Sequence, residues 1–122
     1  MSDKPIAERL QVKGDRRIAV MGAPPAVDRA IGAKKSRAAA AEADIILLFA
    51  PDCARLNAAL PSLLKQAAKT AILWVAYPKL TSDLASDLSR DVIRALAPKH
   101  GLDTVSQIAI DDDWSALRLK RI

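Results

Sequence analysis

A chain of 122 residues, 51% apolar and only 3% aromatic, has the length of one domain with an aliphatic core. Its single Cys53 excludes an internal disulfide and a cysteine zinc cage, and its one histidine argues against a His-rich metal site, so no metal is expected. The net charge of +5 keeps polyanions in view, whereas no apolar run reaches the roughly 18 residues that span a bilayer.

The opening "MSDKPIAERL" has no apolar signal region, and Asp3 and Glu8 oppose an acid-poor transit peptide. A cytoplasmic protein without membrane contact is therefore expected. A short helix near Pro5 to Leu10 makes an N-terminal helical arm (1–16), ahead of a core (17–121), the whole forming a single domain (1–122). "RIAVMGAP" is a short strand ended by Gly22 and the Pro24-Pro25 pair, and a helix starts near Pro25. "AKKSRAAAAEA" is Ala-rich and predicts helix, continuous with the preceding one or separate. "ADIILLFA" shows no alternation, as a central strand covered on both faces requires. Asp52 caps the next helix, in which Leu56, Leu60, Leu63, Leu64 and Ala67 form an apolar stripe. Pro61 should kink this helix or split it.

"TAILWVAY" is a third apolar strand. The fourfold spacing of Leu84, Leu88, Val92 and Leu96 predicts a helix from Ser82 to Pro98, stopped at Gly101. "VSQIAI" and "ALRLKRI" alternate around "DDDWS" and read as a terminal hairpin. The fold class is α/β, Rossmann-like: a mostly parallel five-stranded sheet with a C-terminal antiparallel hairpin, in spatial order 1-2-3-5-4.

From Asp44 onward this order resembles the second half of a class I methyltransferase fold, whose closing hairpin inserts its last strand beside the preceding parallel one. "LWVAYPK", "DLSRD", "HGL" and "IDDDWSALR" also resemble a small bacterial domain family of unknown function, related to one widespread in actinobacteria. That resemblance implies a compact Rossmann-like domain and brings no functional residues. The methyltransferase resemblance implies an S-adenosylmethionine site built on an acidic residue and several glycines after the first strand. Here that segment is "AVMGAPPAV", with one glycine and two prolines. No cofactor is expected, and no S-adenosylmethionine-dependent methyltransferase activity.

Ligands of open α/β sheets bind outside the carboxyl ends of the strands. That edge, called the top here, should receive Gly22, Asp52, Lys79, Thr81 and Ser82, with Trp114 and Ser115 arriving from the hairpin turn. Lys79 beside a helix start at Ser82 would favour a small anion. Asp111, Asp112 and Asp113 read as a solvated turn, and Asp83, Asp87 and Asp91 as partners of Arg90 and Arg94 along one helix. Lys13, Arg16, Arg17, Lys34, Lys35, Arg37, Lys120 and Arg121 should gather at the opposite, bottom edge and form any polyanion site.

Three right-handed crossovers stepping one way would put three helices on one face and leave the other to the short N-terminal helix, the Ala-rich segment 38–43 or a second subunit. A homodimer follows, since each large apolar side chain left in water costs about 1.5–3 kcal/mol. The leading functional reading is a non-enzymatic, self-associating Rossmann-like binding or interaction module. The alternative is a small-molecule enzyme or anionic-ligand binder around Lys79 and Trp114, and a third is weak nucleic-acid binding through the basic clusters.

Overall fold

The apolar runs form strands β1 (Ile18–Met21), β2 (Ile45–Phe49) and β3 (Ile72–Pro78), followed by the hairpin β4 (Leu102–Ala109) and β5 (Trp114–Arg121). They make one sheet in the order β1-β2-β3-β5-β4. β1, β2 and β3 are parallel, with Ile18 beside Ile45 and Ile45 beside Ile72, while β5 runs antiparallel to both β3 and β4. The helices are α1 (Ile6–Arg9), α2 (Pro25–Ile31), α3 (Cys53–Gln66) and α4 (Arg90–Leu96). The computed structural model describes residues 5–122, so the first four residues of the expected N-terminal arm lie outside it. Among the described residues no helix is long and apolar enough to cross a membrane.

Strand alternation divides the core in two. Ile46, Leu48, Leu73 and Val75 point to one face, under Leu56, Leu60 and Leu63 of α3 and Ile93 of α4. Ile45, Leu47, Phe49 and Trp74 point to the other, under Leu10 near α1 and Val27 and Ile31 of α2. The helices therefore lie on both faces, which corrects the expectation of one. The reason is an extra step in the chain. Arg37 forms an isolated parallel bridge with Ile18, and the Ala38 amide donates to the Ile18 carbonyl at 3.0 Å. α2 is thus the crossover from β1 outward to this one-residue strand remnant, whereas α3 crosses the opposite way, from β2 to β3. Right-handed connections that step in opposite directions cover opposite faces. The top of β1 is consequently the topological switch point of the sheet.

Two expected helices change. The Ala-rich segment holds only a 3-10 turn at Lys34–Ser36, entered through Ala33 at φ +55° and left through an extended Arg37. The Arg37 guanidinium explains why: it donates to the Gly32 carbonyl at 2.9 Å and the Asp28 carboxylate at 2.8 Å, tying the chain to the end of α2. Helix propensity is outweighed by these tertiary bonds. The predicted helix from Ser82 to Pro98 begins only at Arg90. Ser82 and Ser86 accept from the amides of Leu84 (3.0 Å) and Leu88 (3.2 Å), local bonds that compete with helix. Ser89 then accepts from the Val92 amide at 3.3 Å and caps α4. α3, by contrast, runs unbroken through Pro61, neither split nor ended there.

Candidate functional site

An open cleft of about 630 Å³ lies at the top of the sheet, on the α3/α4 face. Tyr77 and Ser115 make its floor, Lys79, Leu80 and Thr81 one wall, and Ser89, Arg90 and Asp91 of the α4 start the next; Gln107, Ile108 and Ala109 of β4 close it. The floor is a register effect: antiparallel pairing of β3 with β5 sets Tyr77 opposite Ser115, and both are 4% exposed. Burial pushes the Tyr77 phenol above its ordinary pKa, and Asp91 adds to this, while Arg90 and a hydrogen bond from Ser115 oppose it. The phenol therefore stays protonated at neutral pH, as a neutral hydrogen-bonding group. Arg90 is loosely held, 3.9 Å from the Asp91 carboxylate and 3.5 Å from the Gln107 side-chain oxygen.

Of the residues expected at a ligand site, Lys79, Thr81 and Ser115 line this cleft. The others have structural duties. Trp114 is buried at 6% exposure and meets Phe49 edge-on, centroids 5.0 Å apart, so it fills the core and closes over no ligand. Ser82 donates to Asp113 at 2.8 Å, and the Lys79 amide donates to the Asp113 carbonyl at 2.8 Å; together they pin the 79–89 loop to the hairpin turn. Asp52 accepts from the Arg55 amide at 2.8 Å as the cap of α3. The helix start invoked beside Lys79 is absent, because α4 opens at Arg90. Sequence reasoning placed Tyr77 at the top edge with the segment through Ser82 but gave it no role, missed Gln107, and read Arg90 as a surface partner only.

The switch point does not fit S-adenosylmethionine. Gly22 has φ +76°, and a Cβ there would lie 3.3 Å from the Phe49 carbonyl oxygen. Its missing side chain serves contact between β1 and β2, with no cradle for a ligand. The first-turn amides of α3 are also engaged: Arg55 by Asp52, and Cys53 by Asp87 at 2.9 Å.

Other expected groups stand apart. Asp111 accepts from the Asp113 and Trp114 amides at 2.9 and 2.8 Å, which orders the turn. Asp87 is diverted to Cys53, and among the described residues the contact on this segment is a loose one between the neighbours Arg90 and Asp91, not an expected i,i+3 or i,i+4 pair. No group of three metal-ligating side chains occurs among the described residues. His100 approaches the Asn57 side-chain oxygen at 3.4 Å, one turn along α3 from Cys53. At the bottom edge, Arg37 and Arg121 act as braces, the latter donating to the Leu64 carbonyl at 3.0 Å. Arg16 and Arg17 donate to the carbonyls of Gln11 and Arg37, at 3.1 and 3.0 Å. Lys13, Lys34, Lys35 and Lys120 are exposed.

No family model matches the chain, and no curated protein matches it in sequence. Solved structures do match in shape. A ribosomal-protein methylase from Lactobacillus delbrueckii subsp. bulgaricus aligns at TM-score 0.59 and 14% identity, over 95% of this chain and 74% of that one. Mitomycin 7-O-methyltransferase aligns at 0.58 and 12% identity, over 97% of this chain and 53% of that one. LepI in complex with SAM aligns at 0.54 and 10% identity, over 96% of this chain and 39% of that one. The chain spans about half or less of the latter two. These likenesses carry the fold alone, and the fold is a Rossmann fold of the methyltransferase type.

Proposed function

We propose that this domain is a binding module of methyltransferase-like fold that holds a small organic anion in the Tyr77–Arg90–Ser115 cleft. The observation that carries this reading is a buried neutral floor, Tyr77 with Ser115, facing two cations, Lys79 and Arg90, in one cleft. Its volume lies within the roughly 300–1,000 Å³ of small-molecule sites. A carboxylate or phosphate monoester would meet the Arg90 fork, and a hydroxyl or carbonyl of the same ligand would meet the floor. Aspartates crowd this edge, among them Asp83, Asp91, Asp112 and Asp113, so a singly charged ligand is favoured over a polyphosphate. Binding rather than catalysis accords with the absence of Cys53 and His100, the chain's thiol and its imidazole, from the lining of the cleft.

The test is a thermal-shift panel of carboxylates and phosphate monoesters near 1 mM, followed by titration of any hit. A ligand at a hundredfold its Kd adds about 2.7 kcal/mol of stability. Arg90→Ala should weaken that ligand at least tenfold, and Tyr77→Phe severalfold, with the melting temperature of each free variant little changed. Normal binding by both variants would place the site elsewhere. S-adenosylmethionine should produce no shift; a clear one would overturn the reading of the switch point.

A further inference from the structure

The clearest charge asymmetry in the molecule lies at the bottom edge of the sheet. Chain segments that begin or end strands meet there, and each brings cations. Lys13, Arg16 and Arg17 precede β1, and Lys34, Lys35 and Arg37 precede β2. Lys65 and Lys69 end the α3 connection to β3, Lys99 precedes β4, and Lys120 and Arg121 end β5. These are eleven of the nineteen Lys and Arg residues of the chain. Five carboxylates, Asp15, Asp28 (paired with Arg37 at 2.8 Å), Glu42, Asp44 and Asp103, share the edge, leaving a local excess of six positive charges against a net +5 for the whole chain. Asp44 is in addition engaged, accepting from the Arg17 amide at 2.9 Å. The top edge has the opposite character, with seven aspartates from Asp52 to Asp113 (Asp103 excepted) against the cations Arg55, Lys79 and Arg90. The molecule is electrically polarised along its strands.

We propose that the bottom edge binds a nucleic-acid duplex through its phosphates, without reading bases. Five strands spaced about 4.8 Å apart make an edge roughly 19 Å long. A duplex of that length presents about eleven phosphates, one per 1.7 Å of axis, so several can be neutralised together. The aromatic residues decide between duplex and single strand. Phe49, Trp74, Tyr77 and Trp114 are all buried, at 2, 2, 4 and 6% exposure, so no ring stands at the edge for unpaired bases to stack on. A membrane surface is disfavoured for a related reason. Of the large exposed apolar residues, Leu80 and Leu84 lie in the top loop and Val105 on β4, which leaves Ile122 alone at the bottom to enter a bilayer. The aspartates of the top edge, which leave room for a single anion in the cleft, disfavour a polyanion and so orient the duplex toward the lysines.

The test is fluorescence anisotropy of a labelled 24-base-pair duplex against the full chain, from 50 to 200 mM salt. We expect micromolar binding at 50 mM and a loss of about a hundredfold by 200 mM, the slope for four or five phosphate contacts. Lys34→Glu with Lys35→Glu should weaken binding at least tenfold and flatten the slope. Lys120→Glu should do so to a smaller degree. Arg55→Glu, at the acidic edge, should leave binding unchanged; circular dichroism melts check that each variant is folded. No binding at 50 mM, insensitivity to salt, or tighter binding to phosphatidylserine vesicles than to the duplex would each overturn the proposal. So would equal affinity of the lysine variants and the unaltered chain.

Discussion

Cys53 shows how strongly one residue's chemistry depends on its neighbours. Its place in the first turn of α3 would ordinarily favour a thiolate. Burial instead pushes the thiol above its usual pKa of 9.0, and the Asp87 and Asp52 carboxylates push the same way. The amide that would face a sulfur anion already donates to Asp87, and the thiol donates to the Asp87 carbonyl at 3.4 Å. Less thiolate is therefore present at pH 8 than in the unfolded chain. Alkylation by iodoacetamide at pH 8 should run severalfold slower in the native protein than in urea, and Asp87→Asn should speed it. Equal native and denatured rates would count against this environment. The linked effect on stability has a definite sign. A raised pKa leaves the thiol's contribution intact below pH 9, and stability falls as pH rises beyond it.

At the level of elements, α3 is the instructive case. Pro61 removes the amide that would bond the Asn57 carbonyl, at a typical cost of about 3 kcal/mol in a helix interior. The helix continues because Leu56 and Leu60 before the proline and Leu63 after it are all buried against the sheet. Their burial is worth about 1.5–3 kcal/mol each, enough to hold both halves in line. Pro61 itself faces solvent, so its ring does nothing for the core. Pro61→Ala should stabilise the domain by about 1–3 kcal/mol, seen as a higher urea midpoint with unchanged slope. A fall in the midpoint would mean that the core depends on a bend at this position. The segment before α4 teaches the reverse: Leu84, expected in the apolar stripe, is 50% exposed, because serine hydroxyls captured the local amides first.

For the whole molecule, the dimer expected from an uncovered sheet face loses its premise. Leu10, Val27 and Ile31 cover that face from the same chain, and the Trp74 indole donates to the Leu10 carbonyl at 3.1 Å, locking the N-terminal segment down. The free edge of β4 remains, with Asp103, Val105, Ser106 and Gln107 exposed and a register shift between Thr104 and Gln107. A charged and bulged edge opposes pairing with a second sheet. Sedimentation equilibrium at tens of micromolar should therefore give the mass of one chain, 13.1 kDa. A dimer mass would point to the β4 edge as its interface.

By itself the amino-acid sequence determined the sheet. Continuous apolar runs in β2 and β3, alternation in the hairpin, and Asp52 and Gly101 as helix signals are local patterns, and each corresponds to an observed element. It also placed the basic clusters at one edge, since strand direction and order suffice for that. Only the tertiary structure decided which faces the helices cover, because the deciding step is a single bridge, Ile18 with Arg37, too short to leave a strand pattern. The cleft was likewise beyond local reading. Tyr77, Arg90, Gln107 and Ser115 lie far apart in the chain, and they converge through the β3–β5–β4 register and the serine-capped start of α4. Periodicity reports which way a side chain points within its own element; which distant side chain it meets depends on pairing between elements.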